Sequence, residues 1–309
     1  MDVITAFDLS KLYGAAPALR GVNLKVPEGV AFACVGGAGA GKTTLVRLLA
    51  GLRRPTSGEC GVLGLNPAYE AARLHGMTGV GLQSARLYSS MSLMENLRFY
   101  AGVNGVPVND GVERISFLLH RLNIWEDRDQ RPGALPTGVL FRAGLARALL
   151  HRPRVLLLDE EGAGMDRETA ERVKGLLLYL REEEGVTLLM CTQNMNYAQG
   201  ICDGFALLHQ GQLLARGDFE TLRVGAGVRL KAALRLAQGQ AGPAGFRQEG
   251  GFWQKEIASE AEMPELISQT VAQGVGLFEA KLVRPTLEEV YRAYLEGGRR
   301  RGEAIHGNP

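Results

Sequence analysis

The first 35 residues alternate apolar and polar side chains in short runs, a pattern typical of β-strands with one buried face. The runs VITAFDLSKLYG and LRGVNLKV are followed by a PEG turn and the apolar run VAFACVG. The spacing then becomes helical: KTTLVRLLAGL, residues 42–52, places Leu45, Leu48, Leu49 and Leu52 on one face, and RRPTSGE ends it with proline and glycine. The pattern predicts strands that lead into a loop and a buried helix.

The middle of the chain shows helical periodicity followed by two buried strands. Residues from about 86 to 150 contain no convincing strand, and LMENLRFYAGV and ERISFLLHRLNIW have the spacing of amphipathic helices, so we predict a helical insert there. RVLLLDEE then indicates a short buried strand, RETAERVKGLLLYLREEE a helix, and GVTLLMCTQ a second buried strand. Strand, helix and strand in this order predict a right-handed crossover in an α/β sheet.

The pattern changes again near residue 222. RLKAALRLAQ alternates, AGPAGF indicates a turn, and FWQKEIA, EMPELISQTVAQ, LFEAKLV and TLEEVYRAYLEG follow as strand, helix, strand and helix. These runs predict a small α/β domain over 222–297, after a first domain over 1–221. Residues 298–309 are rich in glycine and polar side chains, so we expect a disordered tail, whose three arginines are either solvated or in contact with an anionic membrane surface.

The composition of the chain limits the classes of function and partner that fit it. The chain has 309 residues, 46% of them hydrophobic, which is enough for a sizeable core. Its 35 basic and 33 acidic residues show no basic stripe interleaved with aromatic residues, which argues against a nucleic-acid partner. Four well-separated cysteines favour reduced core thiols in the cytoplasm over disulfides or a metal site. No apolar run approaches the roughly 20 residues needed to cross a bilayer, so another chain must supply any membrane part.

A glycine-rich loop between the apolar strand and the helix carries the first candidate chemistry. The segment GGAGAGKTT fits the phosphate-loop pattern in its strand-to-helix context, although a glycine turn with a chance lysine is the alternative. Backbone N–H groups and the helix N-terminus would hold phosphates, Lys42 would reach the β- and γ-phosphates, and Thr43 would offer its hydroxyl to Mg²⁺. The predicted ATP-binding residues are Gly36, Gly37, Ala38, Gly39, Ala40, Gly41, Lys42, Thr43 and Thr44.

Two carboxylates end the first buried strand, in VLLLDE. Successive side chains of a strand point to opposite faces, so Asp159 and Glu160 can do different work. We assign Asp159 to the magnesium shell and Glu160 to the general base that orients and deprotonates water. An exposed acidic turn at the strand end is the alternative interpretation.

With these motifs, the chain resembles the ATPase subunit of an ABC transporter, without gaps over nearly all of residues 1–220. The resemblance implies a P-loop fold that binds ATP and Mg²⁺, a dimer of ATPase subunits, and a separate transmembrane permease. It also implies that Tyr13 stacks on adenine, that Gln83 contacts the metal and senses the permease, and that Asp166 couples the two sites of a dimer. A strand-edge tyrosine that packs on its own sheet is the alternative for Tyr13.

The C-terminal run AKLVRPTLEEVYRAYLEG, residues 280–297, is similar to the end of an accessory domain of the exporter branch. That branch includes drug-resistance, sodium-efflux and polysaccharide or lipid exporters. The resemblance therefore implies an exporter that is peripheral at the inner face of the membrane through its permease, with a substrate that this chain does not reveal.

The sequence departs from the family at two functional positions. The family signature L-S-G-G-Q, which covers the phosphate of the opposite subunit, falls on Leu135, Pro136, Thr137, Gly138 and Val139. Pro136 has neither hydroxyl nor N–H, and Thr137 adds a β-carbon where glycine lets the backbone approach. Gln193 stands at the catalytic switch histidine and cannot shuttle a proton.

A milder change puts Glu161 and Gly162 after the expected base, where the family has Pro-Thr. The departures predict reduced hydrolysis, either in a slow homodimer or in a heterodimer with an intact subunit. A nucleotide-holding regulatory subunit with little hydrolysis is the second hypothesis. A superfamily member that acts on ribosomes or DNA is the third, and the single ATP loop and near-neutral charge argue against it.

Overall fold

The computed structural model describes residues 1–81, 87–159, 166–237 and 239–305, with side chains up to 297. The chain forms two compact units, Met1–Asp218 and Phe219–Pro309, against an expected division at 221/222. The elements of the first unit are β1 (Asp2–Tyr13), β2 (Ala16–Pro27), β3 (Ala31–Val35), α1 (Lys42–Leu49), β4 (Ser57–Val62), α2 (Ala71–His75), β5 (Thr78–Gly81), α3 (Leu93–Val103), α4 (Val108–Arg121), a 3₁₀ turn (Pro132–Ala134), α5 (Thr137–Ala148), β6 (Val155–Asp159), α6 (Arg167–Glu184), β7 (Thr187–Thr192), α7 (Met195–Gln199), β8 (Gly204–His209) and β9 (Gln212–Gly217).

Two sheets build the first unit. The larger has the order β5-β6-β7-β3-β8-β9, with all neighbours parallel except the β8–β9 hairpin. The smaller is antiparallel, in the order β2-β1-β4. Every residue of β3, β6 and β7 is buried, as strands covered on both faces require. The α/β P-loop fold with antiparallel N-terminal strands and a helical insert is confirmed.

Helix α1 lies in the core between the two sheets. Leu45, Leu48 and Leu49 are buried among side chains of both sheets, as predicted. Leu52, which the helical spacing assigned to the same face, is 40% exposed, so that assignment was wrong. The helix ends at Leu49, and Gly51 takes a left-handed conformation with φ 68°, which turns the chain away from the helical path before residue 52.

The helical insert consists of α3, α4 and α5. Within residues 87–150 the structure contains no strand, as predicted. Ser92 caps α3 by accepting from the Glu95 N–H, while the Glu95 carboxylate accepts from the Ser92 N–H. The insert is fastened to the core by Arg114 of α4, whose guanidinium donates to both carboxylate oxygens of Glu184 at the end of α6.

The second unit is a small α/β unit. Its elements are α8 (Phe219–Gly225), β10 (Leu230–Leu236), β11 (Arg247–Glu249), β12 (Phe252–Ile257), a 3₁₀ turn (Glu260–Glu262), α9 (Met263–Ala272), β13 (Leu277–Val283) and α10 (Leu287–Ile305). The sheet is antiparallel in the order β11-β12-β10-β13, and its apolar cluster joins Leu230, Ala232 and Ile257 to Leu266 of α9. The short β11 was not anticipated.

The C-terminal segment differs from its prediction. Helix α10 continues to Ile305, where a disordered tail was expected from residue 298. Arg, Glu and Ala are good helix formers, and they carry the helix past Gly297 and Gly298. Residues 306–309 lie outside the described part of the chain. No helix among the described residues is both long and apolar enough to cross a membrane.

Candidate active site

The loop between β3 and α1 requires glycine at two positions. A β-carbon on Gly36 would lie 2.1 Å from the carbonyl oxygen of Leu208, and one on Gly41 would lie 2.5 Å from that of Ala18. Gly41 also has φ 107°, a left-handed conformation that other residues rarely adopt. No side chain caps α1 at this end, so its first-turn N–H groups face the loop, where a helix N-terminus favours an anion.

Lys42 folds back over this loop. Its side chain is 4% exposed, and its ammonium donates to the carbonyl oxygens of Gly36 and Gly37, at 2.9 Å each. The charge is therefore held at the centre of the loop, on a helix whose N-terminus already attracts anions. This is the arrangement expected for a lysine that reaches the outer phosphates of a nucleotide.

Two side-chain oxygens that were predicted to bind Mg²⁺ lie in contact beside the loop. The Thr43 hydroxyl donates to Oδ1 of Asp159 at 2.9 Å, and Asp159 is 5% exposed at the end of β6. Hydroxyl and carboxylate oxygens, together with phosphate, are the ligands that Mg²⁺ prefers. The two residues fit the predicted metal role, and Mg²⁺ held there would neutralise charge on the transferred phosphate.

One open cleft joins the predicted nucleotide residues. Its volume is about 450 Å³, and its lining consists of Tyr13, Ala18, Ala38, Gly39, Ala40, Gly41, Lys42, Thr43, Thr44 and Gln193. Tyr13 lies at the end of β1, is 43% exposed, and has the Lys11 ammonium 5.5 Å from its ring centre. The ring is thus exposed at the cleft, as stacking on a base requires. Gln193 follows β7 and reaches the same cleft, 151 positions along the chain from Lys42.

Two predicted residues fall outside the described residues. Gln83, the expected metal and permease sensor, follows the end of β5, and Glu160, the expected base, follows Asp159. Glu161 and Gly162 fall in the same undescribed stretch as Glu160. Their predicted roles stay predictions.

The signature segment begins helix α5. Leu135 and Val139 are buried at 7% exposure each, while Pro136 and Thr137 are exposed. Pro136 is the N-cap residue, and no side chain caps the helix. The Pro136 carbonyl accepts from the N–H groups of Val139 and Leu140. The exposed helix start therefore offers no serine-type hydroxyl at the position where the signature has one.

Asp166 has a clear local contact. It is the N-cap of α6, and its carboxylate accepts from both the N–H and the hydroxyl of Thr169, at 2.9 and 2.8 Å. These hydrogen bonds lower the pKa of the carboxyl group. The predicted coupling between two sites of a dimer stays a prediction beside this capping role.

No role was predicted for Arg142, the arginine that follows the signature. Its guanidinium donates to the carbonyl oxygens of Gly138, Leu122 and Asn123, so it fastens the start of α5 to the end of α4. Only its position three residues after the signature could have drawn attention to it.

Comparison with known proteins identifies the family. A family model described as "ABC transporter" matches residues 19–162. The chain is 35% identical over 224 residues to a methionine import ATP-binding protein, MetN, of Caulobacter vibrioides, covering 71% of this chain and 68% of the relative. It is 37% identical over 227 residues to MetN of Thermobifida fusca, covering 70% of each. The chain belongs to the ATP-binding subunits of ABC transporters.

Solved structures agree with this ABC ATPase fold. An ATP-binding subunit of an ABC transporter superposes with a TM-score of 0.69 at 25% identity, covering 73% of this chain and 94% of that one. CbiO1 of Clostridium perfringens, part of an ABC transporter complex, gives a TM-score of 0.64 at 25% identity, covering 72% and 91%.

The comparisons also bear on the expected exporter class. The two MetN relatives are named for import, so the expectation of an exporter with a drug-resistance type of accessory domain is not supported. That expectation rested on residues 280–297, which lie outside the matched segment 19–162 of the family model. MetN 2 of Burkholderia mallei is 34% identical to this chain. The alignment covers 66% of this chain and 52%, about half, of that relative.

Proposed function

We propose that this ABC ATPase binds MgATP in the cleft at Tyr13 and the phosphate loop, and hydrolyses it to drive transport through a separate membrane permease. The single observation that carries the proposal is the Thr43–Asp159 contact at 2.9 Å beside Lys42. It brings the proposed metal ligands and the phosphate-binding lysine together beside one cleft. Glu160 would orient the attacking water, and Gln193 would donate to the phosphate from the far side of the cleft.

The binding test is isothermal titration of purified protein with MgATP, combined with phosphate release. Wild-type protein should bind with micromolar to millimolar affinity, and Lys42→Ala should bind at least about a hundredfold more weakly, because a charge-assisted contact to phosphate is lost. Lys25→Ala, a lysine outside the cleft, is the matched control and should bind like wild type. Folded wild-type protein that binds no MgATP would refute the proposal.

We infer that the permease docks in a groove between the core sheet and the helical insert. The groove has a volume of about 350 Å³ and is lined by Leu52, His75, Thr78, Val80, Tyr100, Val103, Asn104, Arg147, Ala148 and His151. Val103, one of its lining residues, is 66% exposed, and Tyr88, 48% exposed, stacks on Tyr100 of the groove with ring centres 5.9 Å apart. A membrane partner would cover these side chains, which supports docking here.

Two unsatisfied polar atoms support the same site. Within the described residues, Nε of Arg147 and Nδ1 of His151 are buried without a hydrogen-bond partner. His151 Nε2 lies 3.1 Å from the carbonyl oxygen of Thr78, so the neutral ring donates there and leaves Nδ1 as an acceptor. Both atoms are closed to solvent, so a docked segment that offers one donor and one acceptor would satisfy them only once the groove opens on binding.

The docking test is co-purification with the co-expressed permease from membranes. Val103→Asp should reduce recovery of the complex at least about tenfold, because it places a charge in an apolar contact. Val108→Asp, on the same insert and 82% exposed outside the groove, should leave recovery unchanged. Equal recovery of both variants would rule out this groove.

Import is the direction that we propose, with methionine the first substrate to test, because the relatives are named for methionine import. Uptake of labelled methionine by cells that carry the chain and its permease measures this directly. Uptake that is indifferent to Lys42→Ala would exclude methionine. A regulatory subunit with little hydrolysis is the second candidate, and it is favoured by the absence of a side-chain cap at Pro136.

A further inference from the structure

Lys11 lies beside the tyrosine that the proposed function places against the base. Both residues belong to the end of β1, and the Lys11 ammonium lies over the Tyr13 ring, 5.5 Å from its centre. A cation over an aromatic face is attracted by the electron density of that face. Within the described part of the chain, Tyr13 lines the nucleotide cleft and Lys11 does not. The ammonium therefore leaves the cleft side of the ring open to a base.

The loop that precedes β4 holds Lys11 in place. The Lys11 ammonium donates to the carbonyl oxygen of Arg54 at 2.7 Å, and the side chain is half-buried. The backbone on either side is held by the same loop. The Thr56 N–H donates to the Ser10 carbonyl oxygen at 2.9 Å, and the Thr56 hydroxyl accepts from the Leu12 N–H at 3.0 Å. The charge over the ring is thus fixed by three hydrogen bonds to one loop.

Tyr13 lies at an exposed position, where β1 turns into β2. The ladder between β1 and β4 ends at Ser10, Tyr13 pairs with Ala16 across a two-residue turn, and its side chain is 43% exposed. An exposed side chain loses rotamer freedom when a ligand binds to it, and this loss weakens binding. A cation held over one face restricts the ring by itself, so less of the loss falls on binding.

We propose that Lys11 is a positioning residue for the base: its cation–π contact holds the Tyr13 ring so that the opposite face stacks on adenine. The charge also draws electron density from the ring, which favours stacking on an electron-rich purine. The proposal rests on the proposed MgATP site and adds a residue that acts through Tyr13 and contacts neither phosphate nor metal.

A lysine near a nucleotide can also act simply through its charge, which attracts the phosphates over a distance. Isothermal titration of the full chain with MgATP and with magnesium tripolyphosphate separates the two effects, because tripolyphosphate has the three phosphates but no base. Lys11→Met keeps the aliphatic stem and removes the ammonium. It should weaken MgATP binding about two- to fivefold, the size of one exposed cation–π contact, and leave tripolyphosphate binding unchanged in about 0.15 M salt.

Lys25→Met is the matched control. The Lys25 ammonium lies 5.8 Å from the centre of the Phe7 ring, so this variant removes the same charge from the same kind of contact on the neighbouring strand β2. Neither Lys25 nor Phe7 lines the cleft. Lys25→Met should therefore bind both MgATP and tripolyphosphate as wild type does.

A double-mutant cycle shows whether Lys11 acts through the ring. Tyr13→Leu should weaken binding of MgATP but not of tripolyphosphate, because only the base loses a stacking partner. In the Tyr13→Leu background, Lys11→Met should have no further effect on MgATP binding, since no ring remains to be positioned.

Four results would overturn the proposal: an unchanged MgATP affinity in Lys11→Met, equal weakening for MgATP and tripolyphosphate, an undiminished effect of Lys11→Met in the Tyr13→Leu background, or tighter MgATP binding by Lys11→Met. The last result would mean that the ammonium occupies the place of the base. All four leave the MgATP site intact and remove only the role of Lys11. Folded wild-type protein that binds neither ligand would refute the MgATP site and this proposal with it.

Discussion

The hydroxyl of Thr43 donates to the carboxylate of Asp159 at 2.9 Å, although the two residues are 116 positions apart in the chain. Thr43 lies in the first turn of α1, and Asp159 ends β6, which is separated from β3 by β7. The parallel order of these strands brings their carboxyl ends to one edge of the sheet, where ligands of α/β proteins bind. The fold therefore brings the two proposed metal ligands together at this edge.

We expect Thr43→Val to remove most of the magnesium dependence of ATP binding. The variant keeps the shape of the side chain but loses the oxygen that would bind the metal. Loss of about 1.4 kcal/mol from this interaction would make the gain in ATP affinity caused by Mg²⁺ tenfold smaller. Titration of the protein with ATP, once in the presence of Mg²⁺ and once in EDTA, gives the ATP affinity with and without the metal. Thr43→Ser retains the hydroxyl and should behave as wild type. A valine variant with an undiminished response to Mg²⁺ would remove Thr43 from the metal site.

Arg114 and Glu184 should contribute strongly to stability. The Arg114 side chain is 2% exposed, and its guanidinium contacts both oxygens of Glu184 and the carbonyl oxygen of Leu149. Removing one partner of a buried ion pair leaves an uncompensated charge, at a cost of about 3–5 kcal/mol. We therefore expect Glu184→Ala to lower the free energy of unfolding by about that amount in urea titrations.

The control is Glu168→Ala, which removes a carboxylate from an exposed pair with Arg172 on the same helix. Exposed pairs of this spacing contribute about 0.3–0.5 kcal/mol, so the control should lose little stability. If the two alanine variants unfold at the same urea concentration, the Arg114–Glu184 pair does not fasten the insert to the core.

Local pattern was enough to locate most of the residues that line the candidate nucleotide cleft. The phosphate loop follows from consecutive residues, and Asp159 follows from a buried strand with an acidic end, so neither needs tertiary information. Leu52 could not be placed correctly, because the left-handed turn at Gly51 overrides the helical spacing. The ion pair between Arg114 and Glu184 joins residues of two different helices that share no sequence motif. The unsatisfied atoms of Arg147 and His151 likewise have no sequence signature, so only the folded chain reveals these features.

Acid should weaken the fold through His151. Burial lowers the pKa of this histidine below the unfolded value of 6.5, so the folded state holds it neutral. Its contribution to stability is complete above pH 6.5 and is lost as the pH falls towards the lowered pKa, because the unfolded chain then binds the extra proton. Urea titrations from pH 7.5 to 5 measure the free energy of unfolding. The loss should be at most about 1.4 kcal/mol for each unit by which the pKa of His151 differs between the folded and unfolded states.

His151→Gln cannot titrate and should lose less stability than wild type over the same interval of pH. The difference between the two profiles isolates this residue from the other four histidines. If the two profiles are parallel, His151 does not become protonated on unfolding, and its ring cannot be the neutral acceptor proposed for the permease groove.

The departures at Pro136, Thr137 and Gln193 are expected to limit turnover. Pro136 caps α5 without a side-chain hydrogen bond, and Gln193 lines the cleft without a charge. Restoring Pro136→Ser, Thr137→Gly and Gln193→His together should raise the ATPase rate of the isolated chain by about tenfold or more, since about 1.4 kcal/mol of recovered phosphate contacts gives a factor of ten. Steady-state phosphate release measures the gain.

The control for that gain is Pro107→Ser, because Pro107 is also an uncapped N-cap residue, on α4, away from the cleft. A serine there can stabilise its helix but cannot contact a nucleotide, so the ATPase rate should stay at the wild-type value. Adding Glu160→Gln to the restored chain should abolish the gain and trap an ATP-bound dimer, detectable by size-exclusion chromatography. An unmodified chain that already turns over ATP at tens per second would mean that neither the proline nor the glutamine is a handicap, and would favour the ATPase hypothesis over the regulatory one.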